Sequence, residues 1–198
     1  MSEMLLRRSA LAGVYQAGRF GRTPDKSGIT ITERPGLAIV QIAAYRDTAE
    51  KTASAIEKTI GLAPAVENCR ATVNHTTHVL WVGPQRWWIV EPEGRDFSGL
   101  RQTLGDDAAM TEHGHGRTVL RVNGPAVRDL LAKGASIDFH PTRFTAGWCR
   151  PTQLGHSACV IHCVDESPTV DLYVARSFAV SFWEWLTDAA GEFGYEIR

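Results

Sequence analysis

The 198-residue sequence has few cysteines for its length, and this limits the kinds of fold it can adopt. The four cysteines are Cys69, Cys149, Cys159 and Cys163. They are too few to form a disulfide scaffold, and such usage is typical of a reducing compartment. A chain this long buries about 70% of its unfolded surface, so its core can hold it together without disulfides. The sequence therefore predicts a globular, cytoplasmic protein with free thiols.

Long hydrophobic runs and an excess of charge of one sign are also absent. No apolar stretch approaches the about 20 residues of a membrane-spanning helix. The N-terminus has no long apolar block after Arg7 and Arg8, so it does not fit a secretory signal. The 21 basic and 22 acidic side chains leave a formal net charge of -1. This balance gives no electrostatic reason to expect nucleic acid or an anionic membrane as a partner.

The chain divides into a segment without hydrophobic periodicity and a longer patterned part. Residues 1–35 are rich in glycine, arginine, serine and threonine, and we expect them to form an N-terminal arm. Residues 36–198 are predicted to form a single domain. Within it, strand, helix, hairpin and helix recur in the same order, which indicates a weak internal two-fold repeat over about 36–105 and 117–191.

Several stretches of the domain predict definite elements. LAIVQIAA (37–44) is typical of a buried strand, and apolar residues at helical spacing predict a helix that ends at Ile60, before Gly61. THVLWVGPQRWWIVEPE (77–93) predicts a hairpin. Further strands are predicted at 117–123 and within 147–175, with helices after Pro125 and at 178–190. This mixture favours an α+β fold with mixed, largely antiparallel sheets and packed helices.

Two groups of residues resemble metal ligands, and neither has a complete ligand set. His113 and His115 would lie on one side of an extended segment, without a defined third ligand. In the strand around 157–163, Cys159 and Cys163 share one face while His162 points to the other, so the three cannot converge. We therefore predict no metal site in this chain.

Signs of a phosphate site or a catalytic nucleophile are equally weak. Pro125 removes one backbone donor where a phosphate loop needs several, so HGHGRTVLRVNGPAVRDLLAKG (113–134) indicates a strand that turns into a helix. Ser157 and Ser177 lack the G-x-S-x-G context of a nucleophile. A cysteine–histidine pair formed by distant parts of the chain stays open. We predict no catalytic and no cofactor-binding residues.

The tryptophans indicate a surface that another chain could cover. Trp87 and Trp88 are neighbours in a predicted strand, so they must face opposite sides, and one of them needs a covering helix or a partner. This excess of apolar surface favours a subunit of an assembly over a free monomer. The predicted partner contacts are Arg7, Arg8, Leu11, Trp81, Trp87 and Trp88.

Five motifs resemble, in order along the chain, the gamma subunit of heterotetrameric sarcosine oxidase. They are RRSAL (7–11), GPQRWWIV (83–90), RTVLRVNGPAVRDLLAKGASIDFHP (117–141), CRPTQLGHSACVI (149–161) and DLYVARSFAVSFWEWLTDAAGEFG (171–194). This family is similar to the folate-binding domain of the glycine-cleavage aminomethyltransferases. The resemblance therefore implies the same α+β fold for this chain.

The resemblance also implies partners and a reaction. The partners would be alpha, beta and delta subunits that carry FAD, covalently attached FMN, NAD, tetrahydrofolate and zinc. The complex would demethylate sarcosine oxidatively to glycine, with hydrogen peroxide and formaldehyde or 5,10-methylenetetrahydrofolate as products. The turn QLGHSACV (153–160) lacks the acidic residue that the aminomethyltransferases use, which implies a non-catalytic subunit. The alternatives are a free-standing folate-dependent one-carbon transferase and a small metal-binding protein.

Overall fold

The chain folds into two β-sheets that pack face to face, with helices on both outer faces. The structure, a computed structural model, describes residues 8–22 and 27–198. In this part of the chain no helix is both long and apolar enough to cross a membrane.

The larger sheet has seven strands and contains the first and the last strand of the described chain. Its spatial order is β1-β12-β2-β8-β11-β10-β9, and the β12–β2 pair is parallel while the other pairs are antiparallel. The strands are β1 (Gly18–Phe20), β2 (Ile29–Glu33), β8 (Arg117–Asn123), β9 (Cys149–Leu154), β10 (Ser157–Cys163), β11 (Thr169–Ala175) and β12 (Tyr195–Ile197).

The smaller sheet has five strands, all antiparallel, in the order β4-β5-β6-β3-β7. Pro84 and Gln85 join β5 to β6, and Gln85 has a φ of 56°, the positive value that a type II turn with proline at its second position needs at its third. The strands are β3 (Leu37–Ala44), β4 (Ala71–Asn74), β5 (Thr77–Gly83), β6 (Arg86–Pro92) and β7 (Ala108–Glu112).

The helices cover the outer face of each sheet and produce three layers of core. The helices α1 (Ala49–Ile60) and α2 (Ser98–Leu104) pack on the five-stranded sheet. The helices α3 (Val127–Ala132) and α4 (Ala179–Ala190) pack on the seven-stranded sheet. The third core layer lies between the two sheets. The order of layers is therefore helix, sheet, sheet, helix.

The structure confirms the α+β class with its largely antiparallel sheets. The predicted strand 37–44 is β3 with the same bounds, and the hairpin predicted at 77–93 is β5–β6. The segment predicted as an N-terminal arm contributes β1 and β2 to the seven-stranded sheet, because its short apolar stretches pair with β12 and β8. The described part of that segment is thus continuous with the domain.

Candidate functional site

The layer between the sheets is built from three rows of inward-facing side chains. Because side chains alternate between the faces of a strand, residues two apart on paired strands form a regular grid. Asp171 of β11 lies between His162 and Arg121, and Tyr173 lies between Val160 and Val119. The third row contains Arg117, opposite Ala175, and the small Ala158. The middle row is apolar apart from the tyrosine hydroxyl, while both outer rows carry charge or ring nitrogens.

The first row, together with His78 of β5 and Arg34 directly after β2, forms a cluster of ionisable groups. We call this cluster the polar end: His78, His162, Asp171, Arg34 and Arg121. One ligand-type atom from each of His78, His162 and Asp171 lies within 4.8 Å of the others. The two imidazole rings stand edge to face with centroids 5.2 Å apart. His162 and Asp171 are 0% exposed, and His78 is 5% exposed.

Two guanidinium groups satisfy the carboxylate of Asp171 from both sides. The Arg121 Nε and one terminal nitrogen donate to the two oxygens at 2.7 and 2.8 Å, which is a bidentate geometry. Arg34 donates to Oδ2 at 2.5 Å. Burial alone would raise the pKa of the Asp171 carboxyl. The hydrogen bonds from Arg121 and the charge of Arg34 outweigh burial and hold this pKa below its ordinary value.

Burial keeps both histidines neutral. It lowers the pKa of His78 to about 4, with a smaller opposing effect of Asp171 and a lowering effect of the two arginines. Burial, together with the neighbouring His78, lowers the pKa of His162 to about 3. The Nδ1 of His78 and both ring nitrogens of His162 have no hydrogen-bond partner within the described chain. The rings therefore act as neutral groups beside a compensated carboxylate.

Two imidazoles and a carboxylate are ligand types that zinc accepts, so the polar end resembles a metal centre in composition. The Asp171 oxygens already accept three hydrogen bonds from Arg34 and Arg121. A divalent cation there would face two guanidinium charges in a buried layer, where like charges repel strongly. The residues do not fit a metal, and we assign the polar end as a structural ion network.

A large cleft lies on the other side of the five-stranded sheet, away from the polar end. Its volume is about 740 Å³, within the usual range for ligand sites, and its apolar floor includes Leu37, Val40 and Met110. The arginines at its rim already have acidic neighbours. Arg95 donates to Glu91 at 2.7 Å, and Arg101 lies 3.9 Å from Glu112. Because these rim charges are compensated, the cleft gives no indication of a ligand with a particular charge.

The cysteines offer no nucleophile among the buried positions. Burial raises the pKa of the Cys149 and Cys159 thiols to about 12 and that of Cys163 to about 11. Their thiolates, which are the reactive form, are therefore absent at neutral pH. Cys159 and Cys163 lie in the core on the outer face of β10, and His162 lies on the inner face, as the alternation predicted.

The histidines singled out in the sequence do not meet. The expectation of an extended segment at 113–115 is wrong, because Gly114–Gly116 form a short 3-10 helix. His113 packs beside Trp88 at a centroid distance of 6.0 Å, while His115 is exposed. Sequence reasoning missed the pairing of His78 with His162, since these residues belong to different sheets and share no local pattern.

The predicted contact residues occupy very different environments. Arg7 lies outside the described residues, and Arg8 is exposed, with its carbonyl accepting from Arg176 at 2.6 Å. Leu11 is 0% exposed in this chain's own core, so it cannot reach a partner. Trp87 faces the helices α1 and α2, and Trp88 faces the layer between the sheets. Both are buried, which leaves Arg8 and the half-buried Trp81 for contacts.

Comparison with solved structures shows that this α+β fold is similar to part of an aminomethyltransferase. The glycine cleavage system aminomethyltransferase T from Bartonella henselae superposes with a TM-score of 0.60, at 11% identity, over 87% of this chain and 48% of that enzyme. A chain of the heterotetrameric sarcosine oxidase from Corynebacterium sp. U-96 superposes with a TM-score of 0.81, at 23% identity. This match covers 96% of this chain and 97% of that one.

Sequence comparison then gives the family. The model of the sarcosine oxidase, gamma subunit family matches residues 45–192. Sarcosine oxidase subunit gamma from Corynebacterium sp. strain P-1 is 32% identical over 122 residues, which are 61% of this chain and 60% of that protein. This chain belongs to the sarcosine oxidase gamma subunit family.

Proposed function

We propose that this chain is the non-catalytic gamma subunit of a complex that oxidises sarcosine to glycine. The products would be hydrogen peroxide and formaldehyde or 5,10-methylenetetrahydrofolate. One observation carries the proposal: the family match over residues 45–192, together with a superposition over 96% of this chain on a chain of a heterotetrameric sarcosine oxidase.

The chemistry of the described residues supports a role in binding. The buried thiols are protonated, and the two buried histidines have no acidic partner free to orient them as bases, because both Asp171 oxygens are held by arginines. The hairpin turn at Gly155 and His156 carries no carboxylate. We therefore propose that the FAD, FMN, NAD, tetrahydrofolate and zinc of the complex are held by alpha, beta and delta subunits, in the cytoplasm.

Omission from co-expression tests this proposal. The genes for the larger subunits would be expressed with and without this chain, and sarcosine-dependent peroxide formation would be measured on the purified assembly. We expect the complex to lose stability or activity when this chain is left out. A fully active, equally stable complex without it would contradict the proposed role.

A contact variant locates the interface. Arg8→Glu reverses a charge at the exposed start of the described chain, and Arg150→Glu reverses an exposed charge on β9 as a matched control. We expect Arg8→Glu to weaken co-purification with the larger subunits while Arg150→Glu leaves it unchanged. Equal retention of both variants would remove Arg8 from the interface.

The alternative of a free-standing folate-dependent transferase is supported by the superposition on aminomethyltransferase T. This chain spans only about half of that enzyme. Calorimetry of the isolated chain with tetrahydrofolate distinguishes the two functions. We expect no binding by this chain alone, and stoichiometric binding would favour the transferase.

A further inference from the structure

The third row of the inter-sheet layer opens into a small cavity at the end of the sandwich. Its volume is about 230 Å³. At the about 30 Å³ that a water molecule occupies in the liquid, this is room for about seven water-sized groups. The cavity exists because the inward position of β10 beyond Val160 holds only Ala158, while Val82 and Arg86 lie across from it on the hairpin. We call it the arginine pocket: Gln41, Arg86, Trp88, Arg117, Ala158 and Tyr173.

The charge in this pocket has no counterpart. Arg86 and Arg117 both line it, and no acidic residue does. The other half-buried arginines of the described chain each donate to a carboxylate, a hydroxyl or a carbonyl, namely Arg34, Arg70, Arg121, Arg128 and Arg176. By contrast, the Nε of Arg117 is buried without a hydrogen-bond acceptor. A half-buried guanidinium without an anion is costly, so its presence here points to a ligand that supplies one.

A buried tyrosine also lines the pocket. Tyr173 is 1% exposed and lines the pocket, yet its hydroxyl has no partner among the described residues. Burial, followed by the charge of Asp171, raises the pKa of this tyrosine well above its ordinary value, so the hydroxyl keeps its proton and can donate. Native proteins rarely leave such a group unpaired.

The surrounding contacts hold these donors in place. The Arg117 guanidinium carbon lies 5.0 Å from the centre of the Trp88 ring, a cation–π distance. Trp88 in turn contacts Tyr173 at a centroid distance of 6.0 Å, and its indole nitrogen donates to Gln41 at 3.1 Å. A guanidinium fork fixed against an aromatic ring suits the planar oxygens of a carboxylate.

We propose that the arginine pocket binds a small monocarboxylate, with the carboxylate held by Arg117 and with Arg86 at the mouth. The short aliphatic remainder of the ligand lies against Val82 and Val160. This binding is reversible and involves no covalent step. It adds a ligand site to a chain whose proposed function requires none.

Butyrate is a suitable probe, and butyramide is its uncharged control. The full chain, purified alone and in the assembly with which it co-purifies, would be titrated with each compound and followed by ligand-observed NMR. We expect butyrate to bind, butyramide not to bind, and the affinity for butyrate to fall as the salt concentration rises. Equal binding of the two compounds would overturn the proposal.

Variants assign the binding to this pocket. Arg117→Gln should weaken butyrate binding by about tenfold or more, since it removes a charged donor to the carboxylate. Ala158→Leu should block the mouth without changing any charge. Arg150→Gln, at an exposed position outside the pocket, should leave the affinity unchanged.

Two results would contradict the proposal. One is an unchanged affinity in both Arg117→Gln and Ala158→Leu. The other is binding by the free chain that disappears in the assembled complex, because the pocket would then accept a carboxylate side chain of a partner.

Discussion

Both ends of the inter-sheet layer contain arginine side chains. Those at the polar end have a carboxylate partner, and the one at the arginine pocket has none. At the polar end, Arg34 and Arg121 both donate to Asp171, so two guanidinium groups share one fully buried carboxylate. At the arginine pocket, Arg117 has no acceptor for its buried Nε. One apolar row that includes Val119 and Val160 separates the two ends. We therefore interpret the paired charges of the polar end as serving the fold and the unpaired Arg117 as the basis of the proposed binding site.

The largest effect is expected from removing the shared carboxylate. Asp171→Asn leaves Arg34 and Arg121 facing each other without a counter-charge, and breaking a buried pair costs about 3–5 kcal/mol of unfolding free energy. Urea unfolding of the purified chain measures this change. Asp188→Asn, at an exposed position on α4, is the control and should cost less than about 0.5 kcal/mol. Equal effects would mean that the polar end is not held by this charge.

Lowering the pH tests whether the two histidines of the polar end stay neutral in the folded chain. Burial keeps the pKa values of His78 and His162 below the ordinary 6.5, so the unfolded chain binds protons that the folded chain excludes. The free energy of unfolding should therefore fall below about pH 6.5, by about 1.4 kcal/mol per pH unit for each histidine. This loss should continue until the pH reaches the folded-state values of about 4 and about 3.

Urea titrations at several pH values, on wild type and His162→Leu, measure that slope. The variant should show a shallower dependence because it lacks one of the excluded protons. His156→Leu, at an exposed position of the β9–β10 turn, should keep the wild-type slope. An unchanged slope in His162→Leu would show that this ring is not held neutral.

A matched pair of arginine substitutions compares the two ends directly. Arg121→Met removes two hydrogen bonds to Asp171 and should cost about 2–3 kcal/mol of unfolding free energy. Arg117→Met removes a group without an acceptor, so its lost contact with Trp88 is offset by relief of desolvation, and the change should stay within about 1 kcal/mol. Thermal or urea unfolding gives both values. A larger cost at Arg117 would mean that this residue serves the fold.

The smallest effect is expected at the buried hydroxyls. Tyr15 donates to the backbone carbonyl of Arg198 and accepts from the Glu33 amide at 3.0 Å, so Tyr15→Phe should cost about 1 kcal/mol. Tyr173→Phe removes a hydroxyl that has no partner and should leave stability unchanged or raise it slightly. The urea unfolding midpoints of the two variants, each compared with wild type, measure these changes. A clear loss in Tyr173→Phe would show that its hydroxyl is bonded in the folded chain.

Local patterns predicted the elements that the structure confirms. The β-branched run at 37–44, the hairpin around Pro84 and the helix ended by Gly61 each follow from the conformational preferences of neighbouring residues. Gly61 has a φ of 79° and its N–H donates to the Glu57 carbonyl, as a helix-ending glycine should. The opposed faces of Trp87 and Trp88 follow from strand alternation alone. The internal two-fold repeat stays a prediction.

Short strands and distant contacts could not be predicted in this way. The short strands β1, β4 and β12 have three or four residues and no alternation long enough to recognise, and they are strands only because a neighbour offers backbone partners. Leu11 was expected to contact a partner, but the fold places it in the core under α4. The sequence contained no sign that its apolar surface would be covered by its own chain.

The sequence by itself determined the fold class, the main strands and helices, and the family motifs, because these depend on residues close together in the chain. Only the tertiary structure decided which charges meet. His78 and His162 come together because two sheets stack, and Arg117 stays unpaired because the row in which it lies contains alanines and no acid. Whether a buried charge has a counterpart is a property of packing, and it separates the polar end from the arginine pocket.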